Sequence, residues 1–209
     1  MMKLIGLRYQ KISMCPNICM LYCLENVELT EYRTCEHSRY KPKTGKGKTL
    51  VAHKKLRYFP ITHKLQRLFM LSKTTEHMTW HQSHDAVDGV MVHPFDGEAW
   101  KHFNNVHPSF SNESRNVRLR LCTDRFNSFG SFAASYSWWL VILTVYNLPL
   151  WMCMRPKFMF LSTVIPNPNS LGCNIDVCLH IEKSFVSMER FTWWLCKWFL
   201  YLRSLSYHI

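Results

Sequence analysis

One aspartate, Asp124, has the position of a strand-borne metal ligand. The residues before it alternate Val117, Leu119 and Leu121 with arginines, which is the pattern of a half-buried strand. An acidic group at or just beyond a strand end is often the first ligand of a site for metal-dependent phosphoryl transfer. Asp124 is therefore a candidate catalytic residue and a candidate ligand of a divalent metal ion.

Three cysteines have spacings typical of metal ligands. Cys15 and Cys19 flank a short Pro-Asn-Ile segment, and Cys35 follows 16 residues after Cys19. Thiolates in two close pairs form a tetrahedral zinc site, but the second pair has one member only. Cys23 and His37 are the alternative fourth donors. Because a closed structural site needs four well-placed donors, the pattern favours free thiols over tight zinc binding.

Positive charge is concentrated in the first 80 residues. The formal net charge is +12, and 11 Lys and Arg but no Asp or Glu lie between His37 and Thr75. Gly-Lys-Thr at 47–49 ends like a phosphate-binding loop, but Pro42 occupies the first glycine position, so nucleotide binding is rejected. The segment suits contacts to DNA phosphates, and a solvated lysine-rich loop explains the charge equally well. The candidate DNA-binding residues are Arg39, Lys41, Lys43, Lys46, Lys48, Lys54, Lys55 and Arg57.

Histidines form a further group of possible metal ligands. His77 and His81 are four residues apart, so a helix would place them on one face. Met78 and Thr79 occupy the places between them, without the glutamate that a His-Glu-x-x-His site requires. An exposed helical face is therefore the favoured interpretation of these histidines.

Two helices are predicted to support these candidates. After Pro60, Ile61 and Thr62 supply a hydrophobic staple and an N-cap, and apolar residues continue at helical spacing to about Trp80. Asp96 is predicted to cap a second, shorter helix.

Strands are predicted mainly in the second half of the chain. Their approximate bounds are 117–123, 137–146 and 158–165, separated by segments rich in Gly, Ser, Asn and Pro. A loop is expected at 107–115, and a helix is expected from about 175 to 182. Residues 1–40 are predicted to be rich in turns, and 41–57 to form a basic loop that leads into a short strand.

The composition predicts a folded protein of a reducing compartment. Hydrophobic residues make up 47% of the chain, which is enough for a core. Nine cysteines without a secretory signal predict that the chain is not secreted. The apolar stretches Ser137–Met154 and Phe191–Leu202 are short and carry polar residues, so strands or a core helix are favoured over membrane spans. No membrane partner and no small-molecule substrate are predicted.

The chain contains a series of short blocks of rare residue types. They are Cys15-Pro16-Asn17, Cys19, Leu21-Tyr22, Cys35, Ser38-Arg39-Tyr40, Glu76–His81, Asp124, Phe126-Asn127, Phe129-Gly130, Tyr146-Asn147-Leu148-Pro149 and Ile175-Asp176-Val177. In sequence and spacing these blocks resemble the CACTA-type (En/Spm) transposases of plants, over about residues 3–182. The family carries Cys-Pro-Asn-x-Cys-x-Leu-Tyr, a Cys-x-x-Cys pair before Ser-Arg-Tyr, and Ser-Asp-Gly-Phe-Asn-Pro-Phe-Gly.

Three positions depart from that family pattern. Tyr32 replaces the first cysteine of the second pair, Arg125 replaces the turn glycine, and Ser128 replaces the proline. Arg125 would place a cation beside the proposed ligand Asp124 and compete electrostatically with Mg²⁺.

The resemblance implies a fold, cofactors and partners. It implies an α+β protein with a degenerate zinc-ribbon-like N-terminus, a helical linker, and the first three strands and start of the first helix of an RNase H-like core. The corresponding segments are 1–57, 58–110 and 111–183, followed by a divergent apolar tail at 184–209. It also implies Zn²⁺ at Cys15, Cys19 and Cys35, Mg²⁺ or Mn²⁺ at Asp124, transposon-end DNA as partner, and a nuclear location.

The likeness stops at Glu182, before the further acidic ligands of the family. One carboxylate cannot hold the two ions of in-line phosphoryl transfer, so the predicted function is that of a truncated transposase-like fragment without strand transfer. A non-catalytic basic DNA-binding module is the first alternative. A translated remnant that barely folds, and that self-associates through exposed apolar surface, is the second.

Overall fold

The described part of the chain forms two compact units. The computed structural model describes residues 8–17, 19–31, 35–42, 49–85, 87, 89–127 and 137–167. The first unit comprises the described residues up to Thr62, Thr123–Ile142 and those from Leu161 onward. The second unit comprises His63–Cys122 and Leu143–Phe160.

Six strands form one sheet in the order β2-β1-β3-β6-β5-β4. Their bounds are Gln10–Met14 for β1, Leu21–Tyr22 for β2, Lys54–Tyr58 for β3, Leu119–Asn127 for β4, Ser137–Val145 for β5 and Met159–Asn167 for β6. β1 pairs antiparallel with β2 and with β3, and β3 pairs antiparallel with β6. Together with the helices, this sheet confirms the predicted α+β class.

The core of the first unit lies on one face of β1 and β3. Ile12 and Met14 alternate with polar residues on β1, as Leu56 and Tyr58 do on β3, and all four are buried. Because successive strand residues point to opposite faces, the pairing of Ile12 with Leu56 brings these side chains to one side of the sheet. Phe59, which follows β3, adds to the same buried set.

The predicted strands were found, with shifted ends, and two further strands were not anticipated. β4 begins two residues later than predicted and extends to Asn127, whereas β5 and β6 match within two residues. β1 and β2 lie in the segment predicted to be rich in turns. The Lys-Ile-Ser-Met run of β1 offers only two apolar positions, and its partner β3 lies about 40 residues away along the chain.

The helix predicted from Thr62 to Trp80 is interrupted. α1 (Thr62–Met70) buries Leu65 and Leu68 on one face, but Leu71 has the extended angles φ −89° and ψ 118°. Threonine hydroxyls that follow the break donate to carbonyls of the last α1 turn, from Thr74 Oγ1 to Leu68 at 2.5 Å and from Thr75 Oγ1 to Phe69 at 2.7 Å. These bonds satisfy carbonyls at the helix end and so favour termination there.

Short helical elements follow α1. They are α2 (Ser72–Thr75), a 3-10 turn (Glu76–Thr79), α3 (Trp80–Ser83), a 3-10 turn (Pro94–Asp96), α4 (Glu98–Val106) and α5 (Pro108–Ser111). The prediction that Asp96 caps α4 was wrong, because Gly97 is its N-cap and makes no side-chain bond. The loop predicted at 107–115 contains α5, whose first residue is a proline, the residue favoured at that position.

In the second unit, β5 is followed by the buried Asn147 and then by α6 (Leu150–Cys153). Among the described residues, no helix combines the length and the apolar character needed to cross a bilayer. The helix predicted at 175–182, the tail at 184–209 and the residues Tyr32, Lys43, Lys46, Lys48 and Ser128 lie outside the described part of the chain.

Candidate functional site

A hairpin brings the first two candidate metal ligands together. β1 ends at Met14, so Cys15 is the first residue of the turn, and its N–H donates to the Met20 carbonyl at 2.9 Å. Cys19 lies near the other end of this turn, just before β2 begins at Leu21. The turn therefore holds both thiols at the same end of two paired strands.

The third cysteine arrives from a separate loop. An isolated bridge between Glu31 and Ser38 closes the segment that contains Cys35. Glu36, directly after the cysteine, has a φ of 51°, in the left-handed region that non-glycine residues seldom adopt. This backbone turn accompanies the approach of Cys35 to the hairpin.

The three sulfurs form a compact triangle. Cys15 Sγ lies 3.3 Å from Cys35 Sγ and 3.1 Å from Cys19 Sγ, and the third side of the triangle measures 3.4 Å. In the described part of the chain these cysteines are the one group of three or more His, Cys, Asp or Glu able to hold a metal ion. A zinc ion bonded tetrahedrally to thiolates at about 2.3 Å keeps the sulfur atoms about 3.8 Å apart. To hold such an ion, the three sulfur–sulfur distances would each have to lengthen by about half an ångström.

The protonation of the thiols is uneven. Burial, followed by hydrogen bonds to the other two thiols, raises the pKa of Cys19 to about 12. Burial also acts on Cys35, but hydrogen bonds from the His37 main chain and from its cysteine neighbours outweigh it and lower the pKa of Cys35. Metal binding must therefore displace a firmly held proton from Cys19, as thiolate coordination requires.

The two alternative fourth donors are less well placed. The His37 ring is near the site, with Nδ1 3.3 Å from the Cys35 carbonyl oxygen, but it is not a member of the metal-capable group. Cys23 is buried, and this burial raises the pKa of its thiol. Among the described residues, only Cys15, Cys19 and Cys35 are therefore placed to hold a metal ion together.

Two of the predicted DNA-binding residues lie beside this cysteine group. Half-burial lowers the pKa of Lys54, and the neighbouring Cys15 partly offsets that effect. The Arg39 guanidinium stacks on the rings of Tyr22 and Tyr40 at 4.8 and 5.2 Å. Its Nη1 also donates to main-chain carbonyls, those of Val27 and Leu29. Arg39 is thus held by protein groups and contributes to local packing.

The other predicted DNA-binding residues divide by position. Lys41 is exposed in a segment beside the Tyr40–Ala52 bridge. Lys55 and Arg57 lie on one face of β3, whereas Lys54 lies on the other because strand residues alternate. Lys43, Lys46 and Lys48 are outside the described residues. Their role in DNA binding stays a prediction.

Asp124 is exposed and lies within β4, three residues before the strand ends at Asn127, whereas the sequence pattern placed it at or just beyond a strand end. It is not part of a group of three metal-capable side chains within the described residues. The described side chains therefore do not form the carboxylate cluster that two divalent ions require.

The second unit contains a buried histidine cluster that sequence patterns did not reveal. His81 was predicted on an exposed face but is only 7% exposed, and His93 is 1% exposed. Both rings contact Trp100, with ring centres 5.8 and 6.3 Å apart. Burial lowers the pKa of each histidine to about 4, so both are neutral at physiological pH. His84 lies at the edge, with Nε2 3.2 Å from the Asp96 carboxylate.

A buried arginine completes this cluster. Arg118 is 5% exposed, and its guanidinium carbon lies 3.8 Å from the Trp100 ring centre, with Phe103 and Phe110 also within stacking reach. Its Nη2 donates to Asn104 Oδ1 at 2.6 Å. Burial lowers the pKa of Arg118 to about 10, which leaves it charged at neutral pH. The cation is held by aromatic rings and an amide, as cation–π packing allows.

Over somewhat less than half of its length the chain is transposase-like. Residues 88–183 match the model of the transposase family tnp2, a stretch that includes Asp124, Arg118 and His93. This match supports a transposase family for the chain, in agreement with the sequence resemblance at that level. No curated protein and no solved structure matches the chain.

Proposed function

We propose that this chain is a CACTA-type transposase-like protein of plant origin, which binds DNA in the nucleus and does not cleave it alone. The observation that carries the proposal is the match of residues 88–183 to the transposase family tnp2. The blocks of rare residues outside that stretch, at Cys15–Tyr22 and Ser38–Tyr40, extend the same likeness toward the N-terminus.

The cysteine group would act as a structural zinc site in this proposal. Zn²⁺ on Cys15, Cys19 and Cys35 would tie the β1–β2 turn to the loop that is closed by the Glu31–Ser38 bridge. Such a site stabilises the small segment around it, since metal binding contributes directly to folding.

The catalytic half of the family site is proposed to be incomplete. In the family, Mg²⁺ or Mn²⁺ ions supply the activation of a nucleophile and the stabilisation of the leaving oxygen. β4, β5 and β6 are consecutive in the chain and adjacent in the sheet, as the first three strands of an RNase H-like core would be. Asp124 on β4 would be the first acidic ligand, and the described residues bring no further pair of acids to it.

A cleavage assay tests this proposal. Purified protein is incubated with a duplex that carries a transposon terminal repeat, in Mg²⁺ or Mn²⁺, beside Asp124→Ala and the exposed-acid control Asp85→Ala. The expected result is no nicking above background in any of the three proteins. Nicking by the wild type and by Asp85→Ala, but not by Asp124→Ala, would contradict the proposal.

The DNA-binding part of the proposal has separate support. The net charge of +12 and the acid-free segment from His37 to Thr75 favour a polyanion partner. If DNA is that partner, affinity falls steeply with salt because the contacts release counterions.

A further inference from the structure

One face of the β1–β3 pair carries three cations and no acid. The antiparallel register places Lys11 directly opposite Arg57, and Lys55 directly opposite Ser13. These four residues share one face because they alternate with the buried Ile12, Met14, Leu56 and Tyr58. Lys11 and Lys55 are exposed, and Arg57 is partly exposed.

This arrangement is unfavourable for the isolated fold. Like charges directly opposite one another on neighbouring strands are destabilising, and Lys11 and Arg57 are such a pair. None of the three forms an ion pair among the described salt bridges. The neighbouring strand β6 faces Arg57 with Val164, which offers no compensating carboxylate.

The arginine of this face is held in place by aromatic rings. Its guanidinium carbon lies 5.0 Å from the Trp138 ring centre and 5.9 Å from that of Tyr9. Tyr9 in turn packs on the buried Phe59, with ring centres 5.7 Å apart. The stacked guanidinium keeps its charge and its planar set of N–H donors, a geometry suited to phosphate oxygens.

The same register separates these cations from Lys54. Lys54 pairs with Met14 and so lies on the core side of the strand, where it is half-buried near Cys15. The third cation of the face is instead Lys11, which sequence patterns did not single out. The set of charges on this face therefore differs from the set that is contiguous in sequence.

We propose that the face formed by Lys11, Lys55 and Arg57 binds the phosphate backbone of DNA. The inference rests on the proposed DNA-binding function and assigns it to a surface. A phosphate backbone brings closely spaced negative charges to all three cations and relieves the repulsion between Lys11 and Arg57. Contacts of this kind position the protein without reading sequence, so duplexes of unrelated sequence would bind alike.

Salt titration of binding to a short fluorescent duplex tests the surface. The proteins are the wild type, Lys11→Gln, Lys55→Gln, the double variant, and two comparisons, Lys54→Gln and the exposed Lys73→Gln on α2. Each lost phosphate contact should reduce the slope of log affinity against log salt by about 1, and the double variant by about 2. Lys54→Gln and Lys73→Gln should leave the slope unchanged.

Thermal unfolding of the same proteins gives an independent readout. Lys11→Gln removes one of two opposed like charges, so its midpoint should be equal to or above that of the wild type while its DNA affinity falls. If a lysine were needed only for folding, its replacement would lower both the unfolding midpoint and the DNA affinity.

Several outcomes would overturn the assignment. An unchanged slope in the double variant, or an equal loss in Lys73→Gln, would refute this face while leaving DNA binding in place. If polyglutamate displaced the duplex at the same concentration of charges, the face would bind polyanions in general, and the assignment of DNA as its partner would be refuted. A wild type with no DNA affinity at low salt would remove both the proposed function and this inference.

Discussion

His81 and His93 are buried against Trp100, the ring on which Arg118 also packs, which makes their neutral forms part of the packing. Burial is the main cause that lowers the pKa of each to about 4, and for His81 the charge of Arg118 adds to it. His93 Nδ1 accepts the Phe95 N–H at 3.1 Å, a bond that requires that nitrogen to be unprotonated. Protonation of His93 at this nitrogen would therefore break the bond, and protonation of His81 would place a second cation near Arg118.

These two histidines predict a loss of stability in mild acid. Above pH 6.5 both are neutral in the folded and the unfolded chain, so they make no pH-dependent contribution. Between 6.5 and about 4 the unfolded chain binds protons that the folded chain refuses, and stability falls as pH falls. A gap of about 2.5 pKa units corresponds to about 3 kcal/mol for each histidine.

Urea unfolding between pH 7 and 4.5 measures this loss. His81→Gln, which cannot titrate, should remove about half of the fall, whereas replacement of the exposed His102 by Gln should leave it unchanged. The Asp96 carboxyl, whose pKa is lowered by bonds from His93 and Val92 that outweigh its burial, loses its contribution only at more acid pH. An unfolding free energy that stays flat from pH 7 to 4.5 would show that the histidines are not buried as described.

At the scale of elements, a side chain continues the pairing of β4 and β5 beyond their ends. The Tyr146 N–H donates to the Arg118 carbonyl at 2.8 Å. Asn147, with no exposed surface, then accepts the Arg118 N–H on Oδ1 at 2.7 Å and donates from Nδ2 to the Asn116 carbonyl at 2.9 Å. The Asn147 side-chain amide thus makes the two hydrogen bonds that the main chain of one more paired strand residue would make.

Replacement of Asn147 by alanine should be strongly destabilising. It would leave the buried Arg118 N–H without a partner, at a cost of about 1–3 kcal/mol, and the part-buried Asn116 carbonyl as well, at a smaller cost of about 1 kcal/mol. Chemical denaturation should therefore show an unfolding free energy lower by about 2–4 kcal/mol. Asn105→Ala, an exposed change on α4, should stay within about 0.5 kcal/mol of the wild type. Similar stabilities for the two variants would contradict the bridging role.

Local patterns predicted the elements that local chemistry determines. Three strands, one marked by alternation and two by the Gly, Ser, Asn and Pro residues around them, and the start of α1 were found close to their predicted places. The end of α1 was not predicted, because it depends on hydroxyls of Thr74 and Thr75 that bond back to earlier carbonyls. β1 was missed because its identity as a strand depends on a partner remote in sequence, which a single-sequence pattern does not contain.

The candidate sites, too, were predicted only where the sequence pattern that marks them is local. Cysteine spacing singled out Cys15, Cys19 and Cys35, which the structure brings together in one group able to hold a metal ion, although the sequence favoured free thiols over tight zinc binding. The cluster around Trp100 was not predicted, because His81, His93 and Arg118 come from three different segments and each alone resembles an ordinary polar residue. The basic face was predicted only in part, since alternation and register decide which lysines share it.

At the scale of the whole molecule, the two units carry different chemistry. The first unit contains the three thiols and the basic sheet face, and the second contains the neutral histidines around Arg118. Each is stabilised or destabilised by a different solution condition. The metal content of the preparation is therefore expected to act on the first unit, and titration of the buried histidines on the second.

Zinc is expected to stabilise the first unit through Cys15, Cys19 and Cys35. A ligand that binds only the folded state adds about 2.7 kcal/mol when its free concentration is 100 times its Kd. One zinc per chain should bind, and the amides of β1 and β2 should become more protected from hydrogen exchange. Cobalt substitution should give a sulfur-to-metal charge-transfer band, because thiolates are the proposed ligands.

The control for this prediction is a cysteine outside the group. Cys15→Ser removes a buried member of the triangle and should abolish zinc stoichiometry, the cobalt band and the added protection, since two thiols cannot hold the ion tightly. Cys122→Ser, at a half-buried site on β4, should retain all three. Equal zinc binding by both variants would assign the ion to other residues. Failure of the wild type to bind zinc in reducing buffer would instead establish the free-thiol alternative, in which Cys19 keeps its proton because its pKa is near 12.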